Sequence, residues 1–155
     1  MKIHARLPLD RQAEGELWVT DADGLILLGP VRARGEADNA GAMAHGNVQE
    51  DPTKAFGDHP GGVYRVTAIV MHPEPVRSYG PAFLRLVPVS GEALEAAEHG
   101  RSGFGIHGGD LHPDGRLRET YGCLRVDNEV AERLAALIRP EVALGGLLYE
   151  CEITT

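Results

Sequence analysis

Turn-forming residues limit what this chain can fold into more than any other feature. Its 155 residues include 20 glycines and 10 prolines, about 19% against an average near 12%, and they follow no collagen-like period. Long helices have little room between them, so short strands joined by turns are the expected pattern. Runs with strand character fall at residues 2–9, 17–20, 25–33, 63–71, 83–89 and 147–153. The last is the clearest: Leu147, Tyr149, Cys151 and Ile153 alternate with Leu148, Glu150, Glu152 and Thr154, the period of a strand with one buried face. Cys151 is therefore expected to point inward. These runs predict a mainly β domain over residues 1–155, a sandwich of two packed sheets with one or two helices.

Helical periodicity is confined to two places. Val130, Leu134, Leu137 and Ile138 fall on one helix face after Asp127, a candidate N-cap, which predicts a helix over 128–138 with Pro140 as its stop. A shorter helix is expected between Ser90 and Gly100. Residues 35–60 are polar and rich in turn pairs, too long for an ordinary connection, and are read as a structured loop or flap.

Charge and cysteine usage remove several function classes. Fifteen basic against 23 acidic residues leave a formal charge of −8, which repels nucleic-acid phosphates and anionic membrane surfaces. No run reaches the length of a membrane span, and the first residues do not resemble a signal peptide, so a leaderless chain is expected, although a trimmed one would look identical. Cys123 and Cys151 are too few for a disulfide scaffold or a four-thiolate zinc site. A zinc site from His107, His112 and Cys123 fits no compact ligand pattern, and neither a metal nor a cofactor is expected.

Chemistry concentrates in the segment GFGIHGGDLHPDGRLRETYGCLRVDN, which begins at Gly103 and places His107 sixteen positions before Cys123. The intervening turn residues let the chain fold back, bringing a strand end with His107 against a second strand end with Cys123. A thiol becomes a nucleophile when a nearby base raises its thiolate fraction. Backbone N–H groups beside Gly122 would stabilise an oxyanion. Bland readings compete with this one: Cys123 alone would be a small buried hydrophobe, His107 a core histidine, Arg125 an ordinary ion-pair partner, and Tyr64 and Trp18 core aromatics. His112 is expected in solvent; His45, His59, His72 and His99 are read as surface or loop residues, with His59 near the cleft.

The same segment resembles the L,D-transpeptidase catalytic domain of the YkuD type, whose signature is a His-Gly followed about fifteen residues later by Ser/Thr-His-Gly-Cys, an apolar residue, then Arg or Asn. The matching residues are His107-Gly108 and Thr120-Tyr121-Gly122-Cys123-Leu124-Arg125, and Pro60, Gly62 and Tyr64 are similar to the family's Pro-x-Gly-x-Tyr strand entry. Tyr121 stands where the family usually has histidine. The resemblance implies an L,D-transpeptidase-like β-sandwich and a thiol that attacks a peptidoglycan tetrapeptide stem, usually at meso-diaminopimelate, expels D-alanine and leaves a thioester. An amine then gives a 3-3 cross-link or attaches another protein; water gives L,D-carboxypeptidase trimming. It implies Cys123 as nucleophile, His107 as base and then acid, and the Gly108 carbonyl as the group orienting the imidazole. Gly122 and Cys123 would form the oxyanion hole, Arg125, Tyr121, Thr120 and Tyr64 would bind substrate, and carbapenems would acylate the thiol. Such an activity belongs in the periplasm or cell wall if the chain is exported. Two alternatives stand beside it: a peptidoglycan-binding or peptide-binding module impaired by Tyr121, and a leaderless secreted effector of the same fold.

Overall fold

A computed structural model describes all residues, 1–155. The strands are β1 (Lys2–Pro8), β2 (Gly15–Thr20), β3 (Ile26–Ala33), β4 (Gly62–Val76), β5 (Gly80–Ser90), β6 (Gly105–His107), β7 (Leu124–Arg125) and β8 (Leu147–Thr154). The helices are α1 (Asn39–Ala44), α2 (Glu92–Glu98) and α3 (Asn128–Ala143). Each strand run expected from the alternation is present, and the mainly β class holds.

The strands form one eight-stranded sheet in the order β3-β2-β1-β8-β4-β5-β6-β7. Two separate sheets were expected, and the reason for the difference lies in β8. It runs parallel to β1 and antiparallel to β4, with Cys151 opposite both Ala5 and Gly62. This strand joins what would otherwise be two layers. The far edges then meet: Arg34, just past β3, exchanges both backbone hydrogen bonds with Arg125 of β7 at 2.9 Å. The sheet therefore wraps around one contiguous apolar core that includes Ile3, Leu17, Val66, Leu84, Ile106, Leu124 and Tyr149.

α3 fills that core with Val130, Leu134 and Ile138. It runs past Pro140 to Ala143, five residues beyond the expected last residue, Ile138. A proline in the last turns removes one i→i−4 bond but does not break a helix already held by its buried face. Asp127 has the extended backbone of an N-cap yet makes no side-chain cap; its carboxylate instead accepts two hydrogen bonds from Arg32 at 2.8 and 2.7 Å. Residues 35–60 contain α1, a third helix that the sequence did not announce, capped by Asp38 through Gly41 N–H. Trp18 lies half-buried outside the core, stacked on His4.

Candidate active site

Strand alternation carries the site. β6 and β7 run parallel, with Ile106 opposite Leu124 and His107 opposite Arg125. Ile106 and Leu124 are fully buried on the core face, so His107 and Arg125 project to the other face, as does Cys123, two residues before Arg125. These three line a cleft of about 1080 Å³. Strand spacing and rise put the Cα atoms of His107 and Cys123 about 8 Å apart.

His107 is held from several sides. Its Nδ1 lies 2.6 Å from the Gly108 carbonyl, which can only accept, so Nδ1 bears the hydrogen and Nε2 carries the lone pair. The ring stacks on Phe83 at 5.5 Å and meets Tyr79 edge-on at 5.0 Å. Burial pulls its pKa down to about 4; the bond to Gly108 opposes that shift, and the Arg125 charge adds to it. At neutral pH the imidazole is an uncharged base.

Cys123 is likewise uncharged. Burial pushes its pKa up to about 11, against the pull of the Gly105 backbone and the Arg101 and Arg125 charges. Its Sγ donates to the Gly103 carbonyl at 3.4 Å, not to His107. The resting site thus holds a neutral thiol and a neutral imidazole facing one cleft, rather than the thiolate that a preformed base contact would produce.

Side-chain hydrogen bonds hold the turn before the thiol. Thr120 Oγ1 donates to the Cys123 carbonyl at 2.8 Å and accepts from Gly122 N–H at 3.0 Å. The Gly122 carbonyl accepts from His59 Nδ1 at 3.0 Å and Arg101 Nη2 at 3.2 Å. Gly122 has φ +116, and a Cβ there would lie 1.9 Å from Arg101 Nη2. Only glycine suits that backbone and that space.

Several expected roles change accordingly. The Gly122 N–H donates to Thr120 Oγ1 and is not a free donor in this structure. Thr120 lines the cleft, and its hydroxyl ties the turn together. Tyr64 is fully buried, donates to the Pro60 carbonyl at 2.6 Å and stacks with Tyr149 at 5.2 Å; it is a core group outside the cleft. Arg125 lines the cleft, but Nη1 donates to Gly108 O at 2.8 Å and Nη2 to Glu119 O at 3.3 Å. Its guanidinium binds carbonyls of its own fold. Tyr121 does stand on the rim, 67% exposed, edge-on to Phe56 at 5.8 Å, while Phe56 stacks on His45 at 3.6 Å.

Two residues of the site were misread or missed. His59 is fully buried, not on the surface, bridging Gly122 O and the Tyr149 hydroxyl, and burial lowers its pKa to about 3. Arg101 is 6% exposed; besides Gly122 O it donates to the carbonyls of Pro52, Gly57 and Asp58. A lone arginine after the helix-ending Gly100 carries no sequence signal for that role. His112 is half-buried and paired with Glu119 at 3.1 Å rather than free in solvent. No cluster of three or more His, Cys, Asp or Glu side chains is placed to hold a metal ion, and no helix is long and apolar enough to cross a membrane.

The family model YkuD, described as the L,D-transpeptidase catalytic domain, matches residues 15–144. Among solved structures, Bd1075 of Bdellovibrio bacteriovorus is similar at 18% identity and a TM-score of 0.54, over 96% of this chain and 46% of that one. A cysteine-to-serine variant of the Enterococcus faecium L,D-transpeptidase is similar at 13% identity and a TM-score of 0.52, over 97% of this chain and 50% of that one. The Ldtfm–avibactam carbamoyl enzyme is similar at 14% identity and a TM-score of 0.52, over 98% and 49%. At these identities the likeness speaks for the fold, and the chain spans about half the length of those proteins. A search of curated proteins found no match.

Proposed function

The chain belongs to the YkuD family of L,D-transpeptidase catalytic domains, and from that premise we propose that it is a cysteine acyl-transferase acting on peptidoglycan tetrapeptide stems. The observation that carries the reading is the pairing of a neutral base and a neutral thiol on one face of adjacent strands. Neither group is charged at rest, so proton transfer accompanies attack. His107 Nε2 takes the Sγ proton as sulfur bonds to the carbonyl carbon of the third stem residue. The Nδ1–H bond to Gly108 holds the tautomer, and that carbonyl stabilises the imidazolium that forms. The Cys123 N–H donates to the oxyanion. Collapse of the tetrahedral adduct breaks the C–N bond, His107 returns its proton to the departing D-alanine amine, and a thioester remains. An amine or water then attacks that carbonyl with His107 again as base, and the thiolate leaves to be reprotonated.

The test is mass spectrometry of products from disaccharide tetrapeptides containing meso-diaminopimelate, with the wild-type protein and Cys123→Ala. Dimers with loss of D-alanine in the wild type alone establish transfer, and tripeptides alone establish trimming. A product that persists in Cys123→Ala, or no product at all, overturns the reading, and the second result moves the weight to a binding module. Carbapenem exposure should add one drug mass to the wild type and none to Cys123→Ala.

A further inference from the structure

The cleft contains a cation with no partner. Following the register outward from Cys123 gives its place: β5 pairs with β6 through Phe83 opposite His107 and Arg85 opposite Gly105. Extending the β6–β7 register back by one residue sets Cys123 level with Gly105. Arg85, Gly105 and Cys123 therefore form one row across three strands, and Phe83, His107 and Arg125 form the next. Gly105 has no side chain, and the Phe83 ring fills the space over it, between Arg85 and the thiol. Two strand spacings separate their Cα atoms by about 10 Å, so a ligand that reaches both the guanidinium and the sulfur passes over the Phe83 ring.

The strand neighbours of Arg85 carry no charge. Its neighbour in the row on the other side is Ala68, and the same-face residues before and after it on β5 are Phe83 and Val87. It is exposed and lines the cleft, and no carboxylate forms an ion pair with it or accepts a hydrogen bond from it, unlike Arg32, Arg34, Arg77 and Arg116. In a chain with eight more acidic than basic residues, an arginine left unpaired beside a nucleophile is an anion site. Arg125, the residue to which sequence reasoning gives this task, has both terminal nitrogens committed to carbonyls.

We propose that Arg85 is the specificity-determining residue of the cleft and binds a carboxylate of the acyl donor in the row shared with Cys123. The proposal rests on the acyl-transfer reading for its natural substrate. In a tetrapeptide stem the carboxylate belongs either to the terminal D-alanine or to the diaminopimelate side chain.

The experiment separates the site from the substrate. Cys123 is alkylated with iodoacetate, which carries a carboxylate, and with neutral iodoacetamide, and the adduct rates are compared by peptide mapping for wild type, Arg85→Gln and an Arg139→Gln control on the exposed side of α3. Arg85→Gln should lower the iodoacetate to iodoacetamide rate ratio about five- to tenfold at low salt, leave the iodoacetamide rate unchanged and leave the control at the wild-type ratio. An unchanged ratio in Arg85→Gln, or an equal fall in Arg139→Gln, overturns the proposal. With stem substrates, Arg85→Gln should reduce kcat/KM about tenfold to a hundredfold on the free acid. Amidating the D-alanine carboxylate or the diaminopimelate carboxylate in the wild type should reproduce that loss for the one that Arg85 binds; if neither does, the proposal fails. A lowered alkylation ratio without turnover of stems would reject the function and keep the anion site; turnover with an unchanged ratio would do the reverse.

Discussion

Replacing Gly122 by alanine tests the turn that presents the thiol. The new Cβ would lie 1.9 Å from Arg101 Nη2 and 2.9 Å from the Gly57 carbonyl, at φ +116. A non-glycine residue in such a backbone costs about 1–3 kcal/mol. Moving the guanidinium off the Gly57 and Gly122 carbonyls, bonded at 3.0 and 3.2 Å, costs about another 2–3 kcal/mol, since charged hydrogen bonds are worth about 1.5–3 kcal/mol. The sum is about 3–6 kcal/mol. At about 2.1 cal/mol/K of unfolding entropy per residue, this chain's Tm should fall by roughly 9–18 °C. Gly115→Ala is the matched comparison: its φ is +88 and no atom lies within 4 Å of the added Cβ, so strain acts alone, at about 1 kcal/mol or a Tm loss of roughly 3 °C. Thermal melts by circular dichroism at one pH compare the two. If Gly122→Ala melts no lower than Gly115→Ala, the clamp of Arg101 on the turn contributes nothing and the reasoning fails.

Two pH experiments check the electrostatics. Because burial raises the Cys123 pKa to about 11, its alkylation by iodoacetamide at pH 7 should be slower than that of a free thiol and climb through pH 10; an inflection below pH 8.5 would contradict this. His59 and His107, lowered to about 3 and 4, bind fewer protons folded than unfolded, so stability is complete above about pH 6.5 and is lost as pH falls toward 4. Glu50, raised to about 7, contributes with the opposite sign but is far less enclosed. The urea midpoint should therefore be lower at pH 4.5 than at pH 7.5, and an equal or higher midpoint would refute the neutral buried pair.

Much of the fold was legible because alternation is a local signal. The run from Leu147 to Thr154 announced both its strand and the inward Cys151. The boundaries that failed did so for non-local reasons: α3 passes Pro140 because its buried face is docked, and Asp127 gives up its cap to Arg32, 95 residues away. At the site, the His107 and Cys123 strand ends could be read from spacing and turn residues. The occupation of Arg125, Thr120 and Gly122 by internal hydrogen bonds could not, since the carbonyls and hydroxyl that engage them are brought in by loops.

By itself the sequence determined the mainly β class and that strand ends would present His107 and Cys123, because period 2 and turn residues are properties of neighbours along the chain. Only the tertiary structure decided which cation is free. The sequence motif singles out Arg125 and says nothing of Arg85; β7 places Arg125 against carbonyls, while β5 leaves Arg85 exposed in the cleft, level with Gly105. The same holds for charge state: the pKa values of His107 and Cys123 move apart because both are enclosed by segments distant in sequence, and burial acts on the neutral-to-charged balance only once those segments have packed.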